Sequence, residues 1–440
     1  MPRPSIHHRV LSIAWPLTLA NLSIPMVGLV DTAILGHLDR PTYLAAVAAG
    51  ASVMTLLFWL FSFLRAGTTS VTARAYGAGH RAEVTDTAAR AMAIALGLGV
   101  VMIVLSRPLV DVTLYFIAPE AEVRELAREY SLIRIFSAPA VLGTYVLIGW
   151  MVALQRARQA LVIMLTTNVL NLLLDLLFIV GLGLNSRGAA LAGLGAEWSG
   201  FVVALLLALN LNQRMGTRLS RAALAVREGY SELIRVNQDL FIRSASVLFA
   251  LTFFTAQGAR QGEVTLAANA IMLQLLLLFA NALDGLANAA EALAGEAHGA
   301  GKVGHLRLVT RSAFLWSSLI TVLVTAVFAL APQLIVSLFT SIEAVQAVAL
   351  KHFAWLILVP LVSVGCFVLD GIFLGTGLSR SMRNIMIAAV VLVYLPVWWA
   401  TQQLGNHGLW MALISFFLAR SVGMWGWYRY RFSPRGGLFG

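Results

Sequence analysis

The run "VLSIAWPLTLANLSIPMVGLVDTAILGHL", Val10 to Leu38, carries one fixed charge, Asp31, in a stretch long enough to cross a bilayer as a helix. Its flanks are basic at Arg3 and Arg9, as in a signal peptide, yet no small-residue cleavage pattern closes a short core. The run is therefore expected to be a first transmembrane helix. The rest of the chain agrees. Of 440 residues, 59% are hydrophobic and 12% charged, and the mean hydropathy is +0.83, far from the balance of a soluble domain. About a dozen mainly apolar stretches lie between charged clusters, at 10–35, 44–66, 88–107, 131–154, 160–183, 188–211, 240–259, 265–290, 312–331, 352–375, 384–403 and 408–427. The expected class is an all-α polytopic membrane protein.

Net charge is +11, but its distribution reads as topology and not as nucleic-acid binding. With the N-terminus inside, about 20 of the 31 basic residues fall on the cytoplasmic side and about eight, Arg134 among them, outside. Both termini are then cytoplasmic. The one cysteine, Cys366, can form no intrachain disulfide. The eight histidines include no HExxH and no clustered Cys/His spacing for a metal. No Walker A sequence is present, and Gly299-Ala300-Gly301-Lys302-Val303-Gly304 follows a membrane helix where a dinucleotide fingerprint would follow a strand.

The chain repeats itself at a shift of about 222 residues: Gly36 falls on Gly258, Leu44-Ala45-Ala46 on Leu266-Ala267-Ala268, and Gly77-Ala78-Gly79 on Gly299-Ala300-Gly301. Six helices per repeat predict two lobes related by a pseudo-twofold axis along the membrane normal, facing a central cleft. The expected lobes are 1–212 and 239–440, joined by a cytoplasmic linker over 213–238. Asp31 falls on Phe253 and Asp175 on about Val397, so the acids are not duplicated.

Ionisable groups inside a membrane are costly and mark functional candidates. Asp31 is alone in helix 1, Asp175 alone between Arg158 and Arg187, and Asp370 alone between Lys351 and Arg380, while helix 8 carries Asp284 and Glu291. At about 100° per residue, Asn168, Asn171 and Asp175 share one face of helix 5, and Asn21 and Pro25 belong to a small, polar stripe of helix 1 with Asp31 on its edge. Two carboxylates and a carboxamide can hold a proton or a small hard cation. The plainer reading makes Asp31 and Asp175 structural, bonded to backbone or to an intramembrane arginine such as Arg65 or Arg243. Pro16 and Pro25 are candidate hinge residues, each removing a backbone bond ahead of Asp31.

The segments "GLVDTAILGHLD", "NVLNLLLDLLF", "ALDGLANAAEALAGEAHGAG", "LDGIFLGTGLSRSMRN" and "LGNHGLW", in order along the whole chain, resemble the multidrug and toxic compound extrusion (MATE) transporters, specifically the DinF subfamily. The resemblance implies a secondary transporter of the bacterial inner membrane. It would export diverse, often cationic or amphipathic organic compounds by alternating access, as a monomer, with no cofactor beyond a coupling ion, proton favoured over sodium. It also implies that Asp31, Asn171 and Asp175 form an N-lobe cation site. A helix-6 threonine of that site is matched here by Gly193. The NorM-type branch pairs a helix-7 glutamate with a helix-10 aspartate; the apolar stretch 240–259 has no acid, leaving Asp370 alone. Asp284, Asp370, Glu291, Asn168 and Asn21 remain possible cavity or coupling residues. A flippase of a lipid-linked precursor is the alternative function, and a membrane-embedded enzyme is not expected.

Overall fold

A computed structural model describes residues 5–35, 40–117, 119–217 and 227–432; side chains of residues 22, 24–33, 35, 227 and 228 lie outside the description. The fold is helical, as the apolar runs predict. The helices are α1 (Ile6–Leu35), α2 (Pro41–Leu60), α3 (Phe63–Gly77), α4 (Arg81–Val104), α5 (Ser106–Ile117), α6 (Ala121–Arg134), α7 (Ala138–Ala153), α8 (Ala157–Asp175) and α9 (Asn185–Met215). They continue with α10 (Arg227–Ala259), α11 (Glu263–Gly299), α12 (Val303–Leu330), α13 (Pro332–Phe339), α14 (Glu343–Gly375), α15 (Ser379–Ala388), α16 (Leu395–Thr401) and α17 (Asn406–Phe432). Among the described residues, 11 helical spans are long and apolar enough to cross a bilayer, and α1, 30 residues long, precedes them. The protein is an all-α polytopic membrane protein.

Chain contacts divide it into two compact units, one of Leu19–Asn237 and one of Met1–Thr18 with Gln238–Gly440. Residues 227–238, expected within the linker, belong to α10.

Within a bilayer, association of helices relies on close backbone approach, and small residues at the contacts permit it. In the first unit Gly149 of α7 lies against the Arg65 carbonyl of α3, where an added Cβ would collide. Trp150, 2% exposed, donates its indole N–H to the Val84 carbonyl of α4 at 2.9 Å. In the second unit Gly371 and Gly375 of α14 press on the Ala287 and Glu291 carbonyls of α11. Tyr394 donates to the Ala250 carbonyl at 3.0 Å. These contacts leave polar atoms satisfied where no water can serve them.

Two spans contain a π-helical turn, Leu176–Gly181 directly after Asp175 and Ala389–Tyr394 between α15 and α16. Such wide turns break the regular backbone ladder and recur beside functional groups.

Candidate functional site

The helix-5 face forms as the 3.6-residue period requires. Asp175 ends α8 at 1% exposure, and Asn171, one turn earlier, donates its amide N–H to Asp175 Oδ2 at 2.9 Å. A turn further back, Asn168 donates to Ser23 Oγ of α1 at 2.7 Å, and Ser23 in turn donates to the Ala20 carbonyl at 2.7 Å. The polar ladder thus holds an acid at one end and another helix at the other.

That tie fixes the register of α1 against α8. They are the first and fifth spans of a chain that reverses at each loop, so they run in the same direction. Residue 31 is eight positions beyond Ser23 and residue 175 seven beyond Asn168, rises of about 12 and 10.5 Å. The backbone therefore carries the two aspartate positions to about the same level. The side chains of Asp31 and Pro25 lie outside the described residues. Helical backbone runs through both Pro16, which is buried, and Pro25, and Asn21 is half-buried between them.

Beside this ladder the first unit encloses a cavity of about 490 Å³. Asn168 and Asn171 line it, together with Tyr130, Arg134, Gly193 and Glu197. Gly50 leaves room for the Tyr130 ring, which an added Cβ would strike. Two of these groups correct the sequence reading. Arg134 was expected among the outside loop charges, but the fourth span is Ala121–Ala153, starting ten residues before the apolar run. Its polar first part, α6, passes into α7 through the tight turn Ile135–Ser137, so Arg134 lies mid-span with its side chain 13% exposed. Glu197, the one acid of α9, stands 3.9 Å from it. A single acid in an otherwise apolar sixth span was the available signal. Gly193, where the resemblance leads one to expect threonine, seats the Arg134 guanidinium: an ideal Cβ there would stand 2.7 Å from Arg134 Cζ.

The second unit treats its acid differently. Asp370, 6% exposed on α14, accepts through the same Oδ2 from Arg243 of α10 and, at 2.9 Å, from Arg420 of α17. Arg420 is itself 2% exposed and lies over the Phe416 ring at 5.3 Å, a cation–π contact that helps retain a desolvated guanidinium. Asp370 is thus the shared counter-ion of two arginines. Arg243, weighed from sequence as a structural partner for Asp31 or Asp175, pairs with Asp370.

The other candidates also lie in the second unit. Asp284 is half-buried on α11 within electrostatic reach of Arg243, and Glu291 is buried further along the same helix, toward its C-terminal end. The absence of an acid from helix 7 holds only for 240–259. The span itself, Gly229–Ala259, starts earlier and includes Glu232 and Asp239. Glu232 pairs with Arg74 at 2.8 Å, and Asp239 with Arg383 at 2.6 Å. The polar first turns continue the helix because their charges are paired.

The profile of the MatE family matches residues 16–177 and 241–399. DNA damage-inducible protein F of Escherichia coli K12 is 37% identical over 415 residues, 94% of this chain and 90% of that protein. A protein of Thermotoga maritima named probable multidrug resistance protein NorM is 25% identical over 444 residues, covering 95% of this chain and 91% of its own. Among solved structures, an outward-facing multidrug resistance MATE family transporter of the MOP superfamily superposes with a TM-score of 0.85 at 22% identity, covering 98% of this chain and 96% of the other. A MOP superfamily transporter from Pyrococcus furiosus gives the same TM-score at 23% identity, over 98% and 97%. The acids, the span order and both matched halves lead to one conclusion: this chain belongs to the MatE family, and it is a membrane transporter and not an enzyme.

Proposed function

We propose that the protein is a multidrug exporter that moves cationic or amphipathic organic compounds out of a bacterial cell across the inner membrane, coupled to inward flow of protons. The single observation that carries the coupling assignment is the setting of Asp175. Its carboxylate is buried and takes a hydrogen bond from a neutral carboxamide, on a helix whose tie to α1 puts backbone position 31 at about the same level. Burial disfavours the charged form of a carboxyl, and a second acid nearby disfavours two charges at once, so one proton shared between Asp175 and Asp31 is the chemistry such a pair supports. Asn171 orients the acceptor oxygen. Asp370 is a poor alternative, since protonating it would leave the buried Arg420 and the half-buried Arg243 without their shared counter-ion.

Coupling then follows from linkage. A proton shifts a conformational equilibrium only as far as it binds the two states unequally, and exported compound and proton must favour different states. Protonation at the Asp31–Asp175 level relaxes the site toward the state open inward, and compound binding favours release of the proton. The termini are cytoplasmic in this reading, and the transporter acts as a monomer.

The test uses purified protein in sealed liposomes with an internal pH-sensitive dye, sodium-free buffer and an imposed pH gradient. Adding ethidium is expected to produce substrate-dependent proton flux in the wild type and none in Asp175→Asn or Asp31→Asn. Flux that appears only when sodium is restored would reassign the coupling ion; wild-type flux in both variants would remove the site.

A further inference from the structure

Arg134 has a peculiar position in the cavity wall of the first unit. Its Nε and Nη1 are buried and find no acceptor among the described residues, and its Nη2 stands 3.9 Å from Glu197, beyond hydrogen-bond distance. The guanidinium is nonetheless closely seated, because a Cβ at Gly193 would approach Nη1 to 2.7 Å and Nε to 2.9 Å. A desolvated cation with open donors is costly unless something accepts from it. Glu197 attracts it through space and leaves the planar fork of donors unused. Around that fork the cavity is mainly apolar: Met54, Phe58, Trp59, Ile163 and Met164 line it.

We propose that this cavity is a binding site for amphipathic anions, compounds that join one carboxylate, sulfonate or phosphate-ester group to an apolar ring system. The oxyanion accepts charge-assisted hydrogen bonding from the Arg134 guanidinium at the cavity wall. The apolar body lies on the methionine and aromatic walls, which adapt to many shapes. Gly193 is the specificity-determining position, since any side chain there displaces the guanidinium. The proposal rests on the exporter reading only in treating the ligand as cargo; binding itself requires neither proton gradient nor antiport.

The experiment is calorimetric titration of the full chain in lipid nanodiscs with two matched probes, a naphthalene sulfonate and a naphthyl trimethylammonium, at fixed pH without a gradient. Empty nanodiscs provide the partition background. The sulfonate is expected to bind wild type about tenfold more tightly than the ammonium, the size expected for one hydrogen-bonded charge. Arg134→Gln and Gly193→Ser should abolish that preference, and Arg134→Lys should retain part of it. The Lys variant keeps the charge and protects the test against a simple folding failure in Gln. Tighter binding of the ammonium, lost in Glu197→Gln, would make the cavity a cation site and overturn the proposal. So would equal binding of the probes, or no sulfonate binding by folded wild type. Failure of proton flux with sulfonate binding preserved would count against the coupling reading alone.

Discussion

Asp175 and Asp370 are both buried aspartates in membrane-spanning helices, one in each compact unit, and their surroundings give them opposite chemistry. Asp175 accepts from a neutral amide on its own helix; Asp370 accepts from two guanidiniums on two other helices. An acid held by a neutral donor can take up and lose a proton at modest cost. An acid that serves two cations in low dielectric is costly to remove, since truncating one partner of a buried pair leaves the others uncompensated. In the reading proposed above, position in the membrane alone does not identify a coupling residue; the described hydrogen-bond partners separate the two acids.

The largest expected effect separates the two acids by function. Asp175→Asn should reduce gradient-driven export by about 100-fold, the upper range of a coupling free energy between sites, while the protein is still made and folded. Drug-efflux rates in cells, normalised to membrane protein, read it, and near-wild-type export would break the contrast.

Next comes stability. Asp370→Asn takes from Arg243 and Arg420 the acid they share and should cost about 3–5 kcal/mol, whereas replacing all three by apolar residues of similar size should be nearly neutral. Thermal unfolding of the purified variants distinguishes them. A stable but transport-dead Asp370→Asn would instead make Asp370 a coupling residue.

A smaller loss is expected where the ladder ties α8 to α1. Asn168→Ala removes the bond to Ser23, and interhelical bonds of this kind average about 0.6 kcal/mol. The shift should appear as a lowered midpoint in unfolding, with export reduced because the register of the two aspartate levels loosens. An unchanged midpoint together with unchanged export would show that the tie sets nothing.

The smallest effect concerns an acid outside the spans, Asp111 of α5. The Arg128 side chain donates to Asp111 at 2.6 Å and holds its carboxyl below the usual range. A depressed acid stabilises the fold above its unfolded value and ceases to do so as pH falls through its folded value, so this contribution fades below about pH 4. With the pair at 40% and 46% exposure, solvent screening limits it to a few tenths of a kcal/mol. Asp111→Asn should change the midpoint slightly at neutral pH and not at all in acid.

How much of this was legible in the sequence follows from the range of each signal. The spans and the face joining Asn168, Asn171 and Asp175 were readable, since both are local periodicities. Span beginnings were not: α4 starts at Arg81 and the fourth span at Ala121, because charged first turns remain helical while the apolar signal stops. Arg134 reads as a loop charge for the same reason, and only the fold shows it seated on Gly193 beside Glu197. The partners of Asp370 are 127 and 50 residues away, and no spacing rule links them. Sequence could nominate Asp370 and Arg243 separately, but not the bond that changes what the acid can do.

The central claim is that Asp175 exchanges its proton and Asp370 does not. Infrared difference spectroscopy of the purified protein, titrated through the physiological range, reports the carbonyl band of protonated carboxyl groups directly. The account predicts a titrating band in the wild type that is lost in Asp175→Asn and retained in a folded variant with Arg243, Asp370 and Arg420 all replaced by apolar residues. A band that persists in Asp175→Asn and vanishes with Asp370 would contradict it.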